Sequence, residues 1–137
     1  MKKGCLALAL FFCLTSPAAA HEGPHVDVLA KTTSSWDGTT LASYPEGQPE
    51  ITVLHITVPP KTSLALHRHP VINAAVLLEG ELTVITEKEE TLHVKAGEAL
   101  VEVVDKWHYG RNDGDVPVVL VVFYAGTEGG AITVNKE

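Results

Sequence analysis

The chain has 137 residues, a formal charge of −7 and two cysteines. That length suits one domain, and the acidic balance speaks against nucleic acid or an anionic membrane as a partner. Both cysteines, Cys5 and Cys13, fall near the amino terminus, so the rest of the chain has no thiol for catalysis, metal binding or bridging.

Residues 1–20 read as a secretory signal peptide. Lys2 and Lys3 precede an apolar run from Cys5 to Leu14, and Ala18 and Ala20 supply the small side chains of a cleavage site. The apolar core spans about ten residues, half of what a bilayer crossing needs. The residues before Cys13 lack the small side chain of a lipoprotein signal. Cleavage after Ala20 leaves 117 residues beginning at His21, removes both cysteines and two lysines, and moves the formal charge to −9. The expected location is periplasmic or secreted.

Residues 21–50, rich in Thr, Ser, Gly, Pro and charge, read as an irregular arm over the domain, with Leu29, Trp36, Leu41 and Tyr44 as its large apolar anchors. Residues 51–137 form the expected domain, in which short runs rich in Val, Ile, Leu and Thr are closed by turn residues. The predicted strands are Ile51 to Val58, Ser63 to His69, Ala74 to Glu79, Glu81 to Thr86, Thr91 to Lys95, Ala99 to Val104, Val118 to Ala125 and Ile132 to Val134. The stretch through Gly110, Asn112, Asp113 and Gly114 reads as a loop. No segment of helical length keeps a 3.6-residue period. Short strands joined by tight turns pair as antiparallel hairpins and predict an all-β sandwich or barrel.

Seven histidines are present, two of them in LALHRHP. Strand side chains alternate faces, so His67 and His69 point to one side and Arg68 to the other. That is a two-nitrogen claw for a metal; alone, it reads equally as two surface histidines on an edge strand. A third ligand must come from elsewhere, and His108 in DKWHYGRN lies just beyond a strand able to run beside the first.

The pattern around these histidines resembles the two characteristic boxes of the cupin superfamily. The first box runs G(X)5HXH(X)3,4E(X)6G. Lys61 stands at its leading glycine, His67 and His69 form the pair, Asn73 holds the acidic position and Gly80 closes it. The second runs G(X)5PXG(X)2H(X)3N; Gly97, His108 and Asn112 match, while Val103 replaces the proline and Asp105 a glycine. The resemblance covers Pro59 to about Ala125. It implies a cupin-type double-stranded β-helix, a jelly-roll barrel, with one divalent metal ion held at its mouth by His67, His69, His108 and Asn73.

The family's glutamate is Asn73 here, and a neutral amide oxygen leaves the ion more positive. Three nitrogens and a weak oxygen suit Zn, Cu, Fe or Ni better than Mg or Ca, with Mn the expected gain if a carboxylate is restored. Water in place of Asn73, or a barrel that has given up its metal, fits the same substitution.

Glu102 is read as an outward carboxylate in preference to a cavity-facing base or replacement ligand. Trp107 is read as packing and Arg111 as a solvated charge; Tyr109 is a candidate acid or base beside the metal. His55 and His93 receive no role, and His21 with His25 reads as a polar tip rather than a copper chelate. The resemblance also makes a homodimer plausible. Two functions stand open: a small metal-dependent oxygenase, isomerase or lyase, or a non-catalytic protein that binds a small-molecule ligand or handles metal.

Overall fold

In the computed structural model, residues 23–137 are described. The expected signal peptide, both cysteines and His21 lie outside them. Ten strands form: β1 (Pro49–Val58), β2 (Thr62–Ser63), β3 (His67–Arg68), β4 (Ile72–Glu79), β5 (Glu81–Thr86), β6 (Thr91–Lys95), β7 (Ala99–Val101), β8 (His108–Asn112), β9 (Val118–Thr127) and β10 (Val134–Asn135). No helix occurs among the described residues.

The strands make two sheets. One runs β1-β9-β4-β7; the other runs β10-β3-β8-β5-β6, with β2 also paired to β8. Every pairing between named strands is antiparallel. The all-β expectation holds, and the sheets enclose a core that includes Leu77, Leu82, Val84, Leu100, Val118, Leu120 and Val122. Each such side chain withdrawn from water contributes about 1.5–3 kcal/mol before the cost of ordering the chain.

Period-two alternation places the polar site at one end of this core. Along β4 the inward positions are Asn73, Ala75 and Leu77. Opposite them on β9 stand Tyr124, Val122 and Leu120. The filling is therefore polar at one end of the pair and aliphatic at the other. At the far end Gly80 makes the β4–β5 turn with φ of 78°, and a Cβ there would come within 2.7 Å of the Pro117 carbonyl oxygen. Glycine alone meets both conditions.

Three readings change. The predicted strand Ser63 to His69 is two short strands separated by an irregular stretch. The predicted loop after His108 is strand β8, which pairs with β2, β3 and β5. Gly110 and Asn112 have low strand propensity, but a ladder on both sides overrides it, and a side chain at Gly110 would crowd Leu64 and Leu82 at 3.3 Å. In the arm, Trp36 packs on the core, whereas Leu29 and Tyr44 are exposed.

Candidate metal centre

His67 and His108 are a directly opposed pair across β3 and β8, a placement that brings same-face side chains together. His69 follows two residues after His67 on the same face. The three rings meet with centroids 4.7 to 5.1 Å apart, and one nitrogen from each lies within 4.8 Å of the other two.

Each ring is fixed through Nδ1. That atom lies 2.7 Å from the Ala65 carbonyl oxygen in His67, 2.8 Å from that of Ile132 in His69 and 2.8 Å from that of Lys106 in His108. A carbonyl only accepts, so each Nδ1 carries a proton; His67 and His69, when neutral, keep the lone pair on Nε2, whereas His108 Nε2 faces the Glu102 carboxylate. This is how metal-binding imidazoles are oriented. Burial lowers the pKa of His67, and lowers that of His69 to about 4, so both are neutral at pH 7. For His108 burial works in the same direction, but the Glu102 carboxylate beside Nε2 outweighs it and the pKa rises.

The facing sheet brings a polar row. The Glu102 amide donates to the Asn73 carbonyl at 3.1 Å, and Asn73 is opposite Tyr124, so Glu102, Asn73 and Tyr124 stand side by side. All three are buried and line one cavity with the three histidines. The cavity holds about 70 Å³, room for several waters or a ligand of a few heavy atoms. The Tyr124 ring meets His69 edge-on at 5.2 Å, and burial raises its pKa.

Glu102 is thus a correction. It is 7 % exposed, not solvated, and its Oε2 lies 2.7 Å from His108 Nε2. A signal existed: Leu100 and Glu102 are two residues apart and share a face, both buried. Tyr124, missed in the sequence, shares the inward face of β9 with Leu120 and Val122. Tyr109 and Arg111 alternate away from His108 on β8 and are absent from the cavity wall; Arg111 pairs with Asp113 at the surface. Trp107 is covered by the Arg68 and Lys136 cations at 5.4 and 5.5 Å. His55 and His93 are exposed, and exposed His25 lies 3.1 Å from Asp27.

Both departures from glycine in the boxes keep a glycine-like backbone: Lys61 and Asp105 each have φ of 55°. The Asp105 amide bonds the His69 carbonyl at 2.8 Å, and its carboxylate pairs with Arg68. Asn112 is structural. Its buried amide donates to the carbonyls of Val58, Pro59 and Val116, and its oxygen accepts from the Gly114 amide.

The donor set fits a divalent ion of the imidazole-binding kind. A second observation supports the fit: both polar atoms of Asn73, which is 0 % exposed, lack any hydrogen-bond partner. A buried amide in that state needs an occupant of the cavity.

The family profile of the cupin domain matches residues 54–124. No curated protein matches the chain. Among solved structures, it resembles a Klebsiella pneumoniae protein with a double-stranded β-helix domain (TM-score 0.52, 22% identity, 67% of this chain and 77% of that one). It also resembles Bacillus subtilis oxalate decarboxylase with Mn(II) centres (0.53, 24%, 62% and 23%). A third is the DMSP lyase DddQ from Ruegeria pomeroyi (0.55, 20%, 72% and 47%). The chain therefore spans about a quarter of the decarboxylase and half of the lyase.

Proposed function

This chain belongs to the cupin domain family, and from that premise we propose that it is an exported metal-dependent enzyme of the oxygenase, isomerase or lyase kind. His67, His69 and His108 hold one divalent ion against a small ligand that enters the barrel mouth. The observation that carries the reading is the set of Nδ1 contacts to the carbonyls of Ala65, Ile132 and Lys106, which turns the three Nε2 atoms toward one cavity. The leader read in residues 1–20 supports export. The Mn(II) of the decarboxylase supports a redox-capable ion.

A bound divalent ion with an open position polarises a ligand carbonyl or activates water or oxygen. The chain's own residues prepare that position. The backbone carbonyls stop the imidazoles from rotating, the aliphatic walls around Leu82, Val84 and Leu120 limit water, and Tyr124, kept protonated by burial, holds a neutral ring edge against His69. Metal analysis of protein purified from the periplasm tests the reading. About one equivalent of a transition metal is expected in the wild type, with loss in His67→Ala and His108→Ala and retention in His55→Ala and His93→Ala. Unchanged occupancy in both of the first two variants would remove the site.

Metal handling without catalysis is the second reading. It is favoured by the scarcity of titratable groups on the cavity wall, where only Glu102 and Tyr124 join the histidines. Water-proton relaxation on the Mn(II)-loaded protein separates the two. Fast exchange, suppressed by oxalate or DMSP, the compounds the similar enzymes are named for, supports the enzyme; a closed shell supports handling.

A further inference from the structure

Resting on the three-histidine reading, we propose that Glu102 is the fourth protein ligand of the metal, so that the site's carboxylate comes from the end of β7 and not from Asn73 on β4. Four observations place it there. Glu102 is buried in a largely aliphatic cavity, where a lone carboxylate is costly without a cation. Among the described residues its one ion-pair contact is with His108, at Nε2, the nitrogen left for the metal. Oε2 lies 2.7 Å from that nitrogen yet makes no aligned hydrogen bond. Two atoms bound at right angles to one ion, each at about 2.1 Å, are about 3 Å apart, so the pair has the spacing of neighbours in a coordination shell.

The fourth observation is the position of Asn73. Glu102 and Asn73 are adjacent across the sheet through the 3.1 Å backbone bond, and both side chains face the same cavity. A carboxylate moved from one to the other crosses a single strand spacing, roughly 5 Å, and Glu102 then stands against His108 at the edge of the three-histidine cluster. Asn73, with both polar atoms unpartnered, then contributes its amide to a ligand or water bound beside the ion. Three neutral imidazoles and one carboxylate leave a divalent ion with one net positive charge, which favours harder ions such as Mn(II) and Fe(II) more than three imidazoles and an amide would.

The test is titration of the full exported chain with Mn(II), followed by electron paramagnetic resonance, and with Co(II), followed by visible absorption. Glu102→Gln should weaken Mn(II) binding at least tenfold and change the Co(II) ligand-field bands, whereas Asn73→Ala should leave the affinity within about threefold. The exchange variant Asn73→Glu/Glu102→Asn should recover most of the Mn(II) affinity lost in Glu102→Asn, a rescue that a folding defect would not show. Wild-type Mn(II) affinity in Glu102→Gln together with loss in His67→Ala would overturn the Glu102 assignment and leave the histidine site standing. Metal retained in His67→Ala as well would instead overturn the site beneath it.

Discussion

At the residue scale, the polar groups of this barrel divide between those that aim into the cavity and those that hold the aiming groups still. Asn112 belongs to the second kind. Its side chain satisfies three backbone carbonyls and one amide from two segments, at Val58 and Pro59 and at Gly114 and Val116, so Asn112→Ala leaves buried groups unpaired and should cost about 3 kcal/mol in urea denaturation. The left-handed backbone at Lys61 acts the other way. A side chain at φ of 55° carries about 1–2 kcal/mol of strain. The exposed contacts of Lys61 with Asp113 and Asp115 return at most about 1 kcal/mol. Lys61→Gly should therefore leave the urea midpoint unchanged or raise it, and a clear fall would show that the lysine contacts count for more than the strain.

At the element scale, irregular segments hold the histidine-bearing strands in place. The Trp36 amide bonds the Val101 carbonyl at 2.9 Å, and Asp37 pairs with Lys106, so the arm is pinned on both sides of the segment that carries Glu102 toward His108. Burial alone would raise the Asp37 pKa, but hydrogen bonds from Lys106, the Thr39 amide and Ser35 outweigh it and hold the carboxyl well below the usual carboxylate range. A depressed folded pKa stabilises the fold above the unfolded value, and that contribution is lost as pH falls through and below the carboxylate range. Asp37→Asn should therefore reduce stability near neutrality and flatten its decline in acid, as thermal unfolding between pH 7 and pH 3 would show. The carboxyl-terminal segment acts on His69, whose Nδ1 meets the Ile132 carbonyl and lies 3.1 Å from the Thr133 hydroxyl. Removing residues 131–137 should lower metal affinity about 10–100-fold, the usual cost of a lost orienting partner, while far-ultraviolet circular dichroism stays all-β.

At the scale of the whole molecule, the proposed metal site would link ion binding to the fold. An ion that binds only the folded chain adds about 2.7 kcal/mol when its free concentration is 100 times Kd. Chelation should lower Tm in the wild type and leave it unmoved in His67→Ala. The outer face of the four-stranded sheet exposes Ile51, Val53 and Phe123, with Val53 directly opposite Phe123. We propose this apolar face as the interface of a homodimer. Sedimentation should give a dimer for the wild type and a monomer for Phe123→Asp; a monomeric wild type would exclude it.

The sequence by itself determined what depends on neighbours along the chain. Alternation decided that His67 and His69 share a face, and turn residues decided where most strands end, as for Glu81–Thr86 and Thr91–Lys95. Box spacing singled out His108. Only the tertiary structure decided what depends on distant partners. His69 receives its proton acceptor from Ile132, 63 residues away, and β8 is a strand because β5 and β3 flank it. Glu102 faces inward because β7 pairs with β4 in a register that puts Val101 opposite Ala74, a choice between two faces that the local residues left open. Alternation is a property of one strand, whereas the face that becomes the interior is fixed only when both sheets close on each other.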